Sequence, residues 1–354
     1  MSVEFNVGKL MRSAIKNFQP YQAKDYPGVV KLDANENPYA WPAGLATQLY
    51  EQVRFNRYPD PEARVLRQKI SAYTGVDVNN VMVGNGSDEL IQMLLLAFGG
   101  DGTKTVVATP TFTMYSLATE YLGGQVVEVP LVNGCKLDVA GMLAAAADPQ
   151  ANLVILCNPN NPTGNTFAPE DIRAIIAGTD KLVVLDEAYY EFAGASLVSE
   201  LADFPNLVIL RTFSKAFAMA GLRIGYLLAA PNITNVLQRV RQPYNSNSFS
   251  QAAGALALDF LPQFQSQIQQ ILRERDKLVS FLGAQNLRQV YPTDANFILF
   301  APHSGAKQLH QQLLDRNISI RYMGNLPVVG ESLRVSIGLP AENELFMTAL
   351  AAVI

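Results

Sequence analysis

The chain has 354 residues, 49% hydrophobic and 16% charged, with 27 Lys and Arg against 31 Asp and Glu for a formal charge of −4 at pH 7. That balance excludes the low-hydrophobicity, high-charge profile of a disordered chain, and the length allows two packed units. There is no Lys/Arg tract and so no electrostatic footprint for nucleic acid or an anionic membrane, which leaves small molecules as the expected partners.

The opening MSVEFNVGKLMRSAIKNF lacks a charged start followed by a continuous apolar stretch, and no later run is long enough to span a bilayer. Cys135 and Cys157 are too few for a disulfide framework or a thiolate metal cage. A cytoplasmic protein without a metal site is expected. The Asn-Ile-Thr at Asn232 and the Asn-Ile-Ser at Asn317 then match the glycosylation pattern by chance.

The segment 1–35 contains YQAKDYPGVVKLDAN, which has turn residues but little periodicity, and is expected to pack at a domain junction. In 36–245 the short runs VMVG, TVVAT, QVVEVP, NLVILC, KLVVLD, NLVILR and RIGYLLA alternate with helical patterns. Strands that are apolar throughout and separated by helices predict an α/β unit, a mostly parallel sheet sandwiched by helices. Ligands of such sheets sit beyond the carboxyl ends of the strands, which places CNPNNPTG, DEAYY and TFSK on one rim. In 246–354 a long helical stretch broken or kinked at Pro262 precedes NFILFA, a helix, ISIRY, SLRVSIG and a last helix, the pattern of a smaller α+β domain.

Elimination narrows the chemistry. His303 and His310 have no neighbouring Cys or carboxylate at ligand spacing and read as surface residues. The G-x-S-x-G elbow of serine hydrolases and the Walker A loop are absent. GNGSDE has Glu89 where a dinucleotide fingerprint needs its third glycine.

What remains is Lys215. Most lysines are solvated surface charges, but this one follows an apolar strand and precedes AFAMAGLRIG, so its amine is expected at the sheet rim among apolar side chains. Desolvation there lowers a lysine pKa and makes the amine a nucleophile toward a carbonyl. Pyridoxal phosphate is a carbonyl cofactor that needs such a lysine and an acidic partner for its ring nitrogen, and Asp186 at the end of KLVVLD suits that role. Asn161 and Tyr189 are candidates for its phenolic oxygen, and Phe112 for the ring face. Ser214, Arg223 and the helix-opening Gly86 and Ser87 are candidates for its phosphate. Taken singly, Asp186 is a turn cap and the Gly86 loop an N-cap. Together they form a cofactor-shaped set in chain order.

The motifs NPNNPTG, DEAYYEF and TFSKAFAMAGLRIGY resemble the fold type I pyridoxal-phosphate aminotransferases. More narrowly, LDANENPY, FNRYPDP, GNGSDE and SLRVSIG resemble the histidinol-phosphate aminotransferases, a class II subgroup. The resemblance runs from about Tyr21 to the final helix. It implies that Lys215 binds the cofactor covalently, that Asp186 pairs with its ring nitrogen, that Asn161 and Tyr189 contact its phenolic oxygen, and that Ser214, Arg223 and the loop Gly86, Ser87 and Asp88 hold its phosphate. It also implies a homodimer in which Tyr58 reaches the phosphate of the neighbouring subunit. Arg334, with Arg321, Tyr21 and Asn35, is assigned to the substrate. Phe112 stands where relatives often carry tyrosine or tryptophan, which keeps the ring face and loses a hydrogen bond. The implied reaction moves the amino group of L-histidinol phosphate to 2-oxoglutarate, giving imidazole acetol phosphate and glutamate in histidine biosynthesis. Three alternatives stay open: an aromatic or broad-specificity aminotransferase, an amino acid phosphate decarboxylase on a similar scaffold, and a non-catalytic sensor.

Overall fold

The computed structural model describes residues 6–16, 18 and 26–354. In chain order the strands are β1 (Val30–Leu32), β2 (Val81–Gly84), β3 (Lys104–Thr109), β4 (Gln125–Pro130), β5 (Ala151–Cys157), β6 (Leu182–Asp186), β7 (Leu207–Thr212), β8 (Gly225–Ala229), β9 (Gln289–Val290), β10 (Phe297–Ala301), β11 (Ile318–Leu326) and β12 (Gly330–Ser336). The α-helices are α1 (Leu45–Gln52), α2 (Arg64–Thr74), α3 (Ser87–Phe98), α4 (Met114–Tyr121), α5 (Val139–Ala146), α6 (Pro169–Ala177), α7 (Tyr190–Ala193), α8 (Pro231–Leu237), α9 (Ser248–Asp259), α10 (Leu261–Gly283), α11 (Ala306–Leu314) and α12 (Pro340–Ala351).

The seven apolar runs form one sheet in the order β2-β8-β7-β6-β5-β3-β4. Strand β8 is antiparallel to both neighbours, and the remaining pairs are parallel. The inner strands of the sheet read apolar because both faces are covered. Val183 and Leu185 of β6 join a core with residues of α1, α2, α6, α9 and α10, whereas Val184 between them joins a second core with residues of α3, α4 and α8. This is the two-residue alternation of a strand with no solvated face.

The second sheet has the order β1-β11-β12-β10-β9. Its β10, β11 and β12 were legible as apolar runs. Strand β1 was not, because VKL is three residues long and its order comes from parallel pairing with β11 almost 300 positions away, Val30 opposite Ile318. The break expected at Pro262 is a helix start. Helix α9 ends at Asp259, and Pro262 lies in the first turn of α10, where its missing N–H costs no intrahelical bond. No helix among the described residues is long and apolar enough to cross a membrane.

Candidate active site

Parallel register aligns the carboxyl ends of the central strands. Cys157 lies opposite Asp186, and Asp186 opposite Leu210, so the segments that follow β5, β6 and β7 emerge side by side. The strand alternation then decides where each side chain goes. Asp186 has the parity of Val184 and enters the core of α3 and α4. There its Oδ2 accepts a 2.6 Å bond from the Tyr115 hydroxyl and its Oδ1 a 3.0 Å bond from the Ala188 N–H. Burial pushes the carboxyl up to about 6, with those two hydrogen bonds pulling the other way. Cys157 beside it is pushed up to about 12 by burial and by the Asp186 charge, so it stays a thiol.

Glu187, one residue on, has the opposite parity and leaves on the other side. It meets Arg211 of β7 at 2.9 Å, with both side chains essentially inaccessible, and the Ser196 hydroxyl donates to it. The Arg211 guanidinium lies 3.6 Å from the Tyr190 ring centre. Two adjacent acids are thus sorted by the pleat, Asp186 to Tyr115 in the core of α3 and α4 and Glu187 to a buried ion pair that anchors the turn.

Lys215 follows the end of β7 and is partly buried, its Nζ donating to the Ala34 carbonyl at 3.0 Å. Burial, and next the positive charge of Arg334, bring its amine down to about 8. The Nζ stands 5.9 Å from the centre of the Tyr189 ring. The Tyr189 hydroxyl accepts from Asn35 Nδ2 at 3.1 Å and from Asn161 Nδ2 at 3.4 Å, and its ring packs edge-on against Phe297. Asn161 Oδ1 in turn accepts a 2.6 Å bond from Arg334 Nη1. Arg334 Nη2 also donates to the Asp33 carbonyl at 2.8 Å. Amine, phenol, amide and guanidinium form one connected set drawn from both sheets and from the segment before α1.

A second group gathers where β2 meets α3. Gly86 has φ of +81°, and a Cβ there would lie 2.8 Å from Arg223 Nη2. Gly225 is also required, since a Cβ would lie 2.7 Å from the Ser87 nitrogen. Backbone and guanidinium therefore close on one another around the opening turn of α3. Arg223 itself adopts φ of +50°, and its Nη2 is 2.6 Å from Asp88 Oδ2 in a half-exposed ion pair. Ser214 is buried, its N–H bonded to Thr212 Oγ1. Phe112 is half-buried and packs edge-to-face on Tyr115, with ring centres 5.5 Å apart.

Arg321 lies directly across from Arg334 in the β11–β12 register, so the two point to one face of the second sheet. Tyr58 is 81% exposed and stacks on Tyr244, with ring centres 4.5 Å apart. Tyr21 lies outside the described residues. His303 is exposed and His310 packs beside Tyr322. Among the described residues no three His, Cys, Asp or Glu side chains gather at metal-binding spacing.

Sequence reasoning missed Tyr115 and Ser336. Ser336 donates to Asn35 Oδ1 at 3.1 Å and accepts from the Asn35 N–H at 2.8 Å. A signal existed for Ser336, which is two residues from Arg334 on one strand and so shares its face. Tyr115 lies three residues past Phe112 at the opening turn of α4, and only the fold brings that turn to β6.

Comparison with known proteins places this arrangement. The model of the family described as aminotransferase class I and II matches residues 27–350. A histidinol-phosphate aminotransferase of Desulfitobacterium hafniense is 45% identical over 357 aligned positions, 99% of each chain. The crystal structure of a histidinol-phosphate aminotransferase from Sinorhizobium meliloti in complex with pyridoxal-5'-phosphate superimposes with a TM-score of 0.85 at 27% identity, over 91% of this chain and 90% of that one. The L-threonine-O-3-phosphate decarboxylase of Porphyromonas gingivalis is also similar, with a TM-score of 0.78 at 26% identity over 91% and 98%. An amine whose pKa is lowered by burial, an acid buried at the end of the adjacent strand and a glycine cradle at a helix start are thus set in a matching family scaffold, and the chain belongs to the class I and II aminotransferases, with the fold type I architecture of pyridoxal-phosphate enzymes.

Proposed function

We propose that this protein transfers the amino group of L-histidinol phosphate to 2-oxoglutarate with pyridoxal phosphate as cofactor, in histidine biosynthesis. The observation that carries the reading is the continuous set from the Lys215 amine past the Tyr189 ring, through its hydroxyl and Asn161, to Arg334. It joins a carbonyl-reactive amine to an anion-binding guanidinium. The cofactor fits the residues present. Lys215 suits its aldehyde and Asp186 its ring nitrogen, while Tyr189 and Asn161 suit its phenolic oxygen. Phe112 suits its ring face, and the cradle of Gly86, Ser87, Asp88, Ser214 and Arg223 suits its phosphate. The close approach at Gly86 and Gly225 supports this fit, because it leaves backbone N–H groups at a helix N-terminus facing a guanidinium.

Bound pyridoxal phosphate supplies an aldehyde that accepts an amine and a ring that draws electrons from the adjoining carbon. The chain does the rest. Lys215 Nζ would take the proton from the amine-bearing carbon of the donor and later return it. With a pKa of about 8 the free-base fraction is already useful near neutral pH. Asp186 would keep a positive charge at the ring nitrogen, and Tyr189 and Asn161 would hold the phenolic oxygen. Arg334 and Arg321 lie opposite each other on one face, and a guanidinium can bind either anion through its planar fork, which suits the phosphate of one substrate and the carboxylate of the other in turn.

In this reading 36–245 is the cofactor-binding unit, 246–354 the smaller unit and 1–35 their junction, consistent with Asn35 bonding to both Tyr189 and Ser336. The exposed Tyr58 supports a homodimer in which it completes the neighbouring site. Two buried free thiols suit a reducing cytoplasm. The test is a half-reaction panel. Cofactor-loaded protein is mixed with histidinol phosphate, phenylalanine, tyrosine or aspartate, and the cofactor spectrum is followed. The fastest change with histidinol phosphate, followed by recovery on adding 2-oxoglutarate, is expected. A faster aromatic donor sinks the substrate assignment, and carbon dioxide release from an amino acid phosphate without transfer sinks the reaction.

A further inference from the structure

Within the proposed pyridoxal-phosphate site, on which this rests, we propose that Tyr115 is a positioning residue that holds Asp186 as a fixed, ionised partner for the ring nitrogen while bracing Phe112 against the ring face. No part of Tyr115 reaches solvent, and its ring belongs to the core formed with Val184 and Cys157. A phenol in such surroundings needs a partner, and it has one at 2.6 Å in Asp186 Oδ2, a length typical of an O–H bond to a charged oxygen. The other carboxylate oxygen is held by the Ala188 N–H, so each oxygen has one donor and the plane of the group is fixed. Remaining lone pairs are free for a cationic N–H.

The electrostatics assign the hydroxyl more than a packing role. Burial opposes the Asp186 charge, as do Asp88 and Glu187, and Tyr115 leads the groups that favour it. Burial and the Asp186 charge push the phenol itself well above its ordinary value, so it donates its proton and does not lose it. Phenylalanine would fill the same volume and keep the edge-to-face contact with Phe112, so the hydroxyl is the part that acts on Asp186. Without it Asp186 becomes more basic, and the shared proton shifts from the ring toward the carboxyl.

The test uses full-length apo protein reconstituted with pyridoxal phosphate isotope-labelled at the ring nitrogen, read by nitrogen NMR. The wild type is expected in the protonated-pyridine range, with Asp186→Asn marking the unprotonated end of the scale. Tyr115→Phe is expected to move toward that end and to weaken cofactor binding roughly 10- to 100-fold, the loss typical of one hydrogen bond to a charged group. A fluorinated tyrosine at position 115, nearly isosteric and a stronger donor, moves the resonance the other way and covers the case in which the phenylalanine variant does not fold. Tyr115→Phe that binds with wild-type affinity and keeps the protonated-ring resonance overturns the proposal. Wild-type protein that takes up no cofactor overturns the site reading itself, so the two failures are distinguishable.

Discussion

Asn35 Nδ2 donates to the Tyr189 hydroxyl at 3.1 Å, and the orientation of that amide is set by Ser336, whose Oγ donates to Asn35 Oδ1 at 3.1 Å. With Asn161 as a second donor, the Tyr189 oxygen accepts twice and its own proton is left to point outward. Ser336→Ala frees the amide to turn. The variant loses both of its bonds to Asn35, and loss of the one that orients the amide, about 1 kcal/mol, is expected to lower kcat roughly fivefold with little change in the KM of the donor. Steady-state kinetics with unchanged kcat would show that Ser336 has no part in orienting Asn35.

Lys215 is brought down to about 8 by burial and by Arg334. Only the neutral amine reacts with an acylating reagent, so labelling of Lys215 in apo protein rises with pH and reaches half its maximum near pH 8, whereas ordinary lysines do so near about 10.4. Arg334→Met removes a positive charge and moves the midpoint upward. Peptide mapping of the label across pH provides the curve, and a midpoint in the ordinary lysine range contradicts the desolvated amine. Lys215→Ala abolishes turnover, and borohydride then fixes no pyridoxyl group at position 215.

At Gly86 any Cβ meets Arg223 Nη2 at 2.8 Å, and the φ of +81° disfavours a side chain as well. Gly86→Ala is expected to weaken cofactor binding at least about tenfold, because backbone strain of roughly 1–2 kcal/mol adds to displacement of the guanidinium. Titration of apo protein with pyridoxal phosphate measures it. Wild-type affinity in this variant removes the loop from the phosphate site.

The Glu187–Arg211 pair is essentially inaccessible to solvent. Arg211→Met leaves Glu187 buried without its counter-charge and is expected to cost about 3–5 kcal/mol of folding stability in urea titrations. A loss below about 1 kcal/mol, less than a buried ionic partner is worth, means that the pair is not ionised in the folded protein.

Tyr58 is 81% exposed in one chain. If it serves a neighbouring site, Tyr58→Ala and Lys215→Ala proteins, each impaired alone, recover activity when unfolded together and refolded. The mixed dimer then has one site carrying both lesions and one carrying neither. Activity no greater than the sum of the separate preparations places Tyr58 outside any shared site.

Much of the scaffold was legible because it is locally encoded. The inner strands, covered on both faces, announce themselves as apolar runs, and Asp186 ends one of them while Ser214 and Lys215 follow the end of the next, so their placement on one rim follows from parallel topology alone. Asn161 and Tyr189 follow the same rule. Strand β1 was hidden because three residues carry no period and its partner is distant in sequence. Arg334 carried a family likeness to substrate-binding arginines, but its bond to Asn161 crosses between the two sheets and leaves no sequence trace.

What the sequence determined by itself is the kind of chemistry, because an isolated lysine, a strand-end acid and a glycine loop are chemical types that can be read in one dimension. Tertiary structure alone decided the environment in which they sit. The pleat sends Asp186 to Tyr115 and Glu187 to Arg211, and burial beside Arg334 lowers the Lys215 amine. Both effects depend on distance and desolvation, and those exist only once residues remote along the chain are packed together.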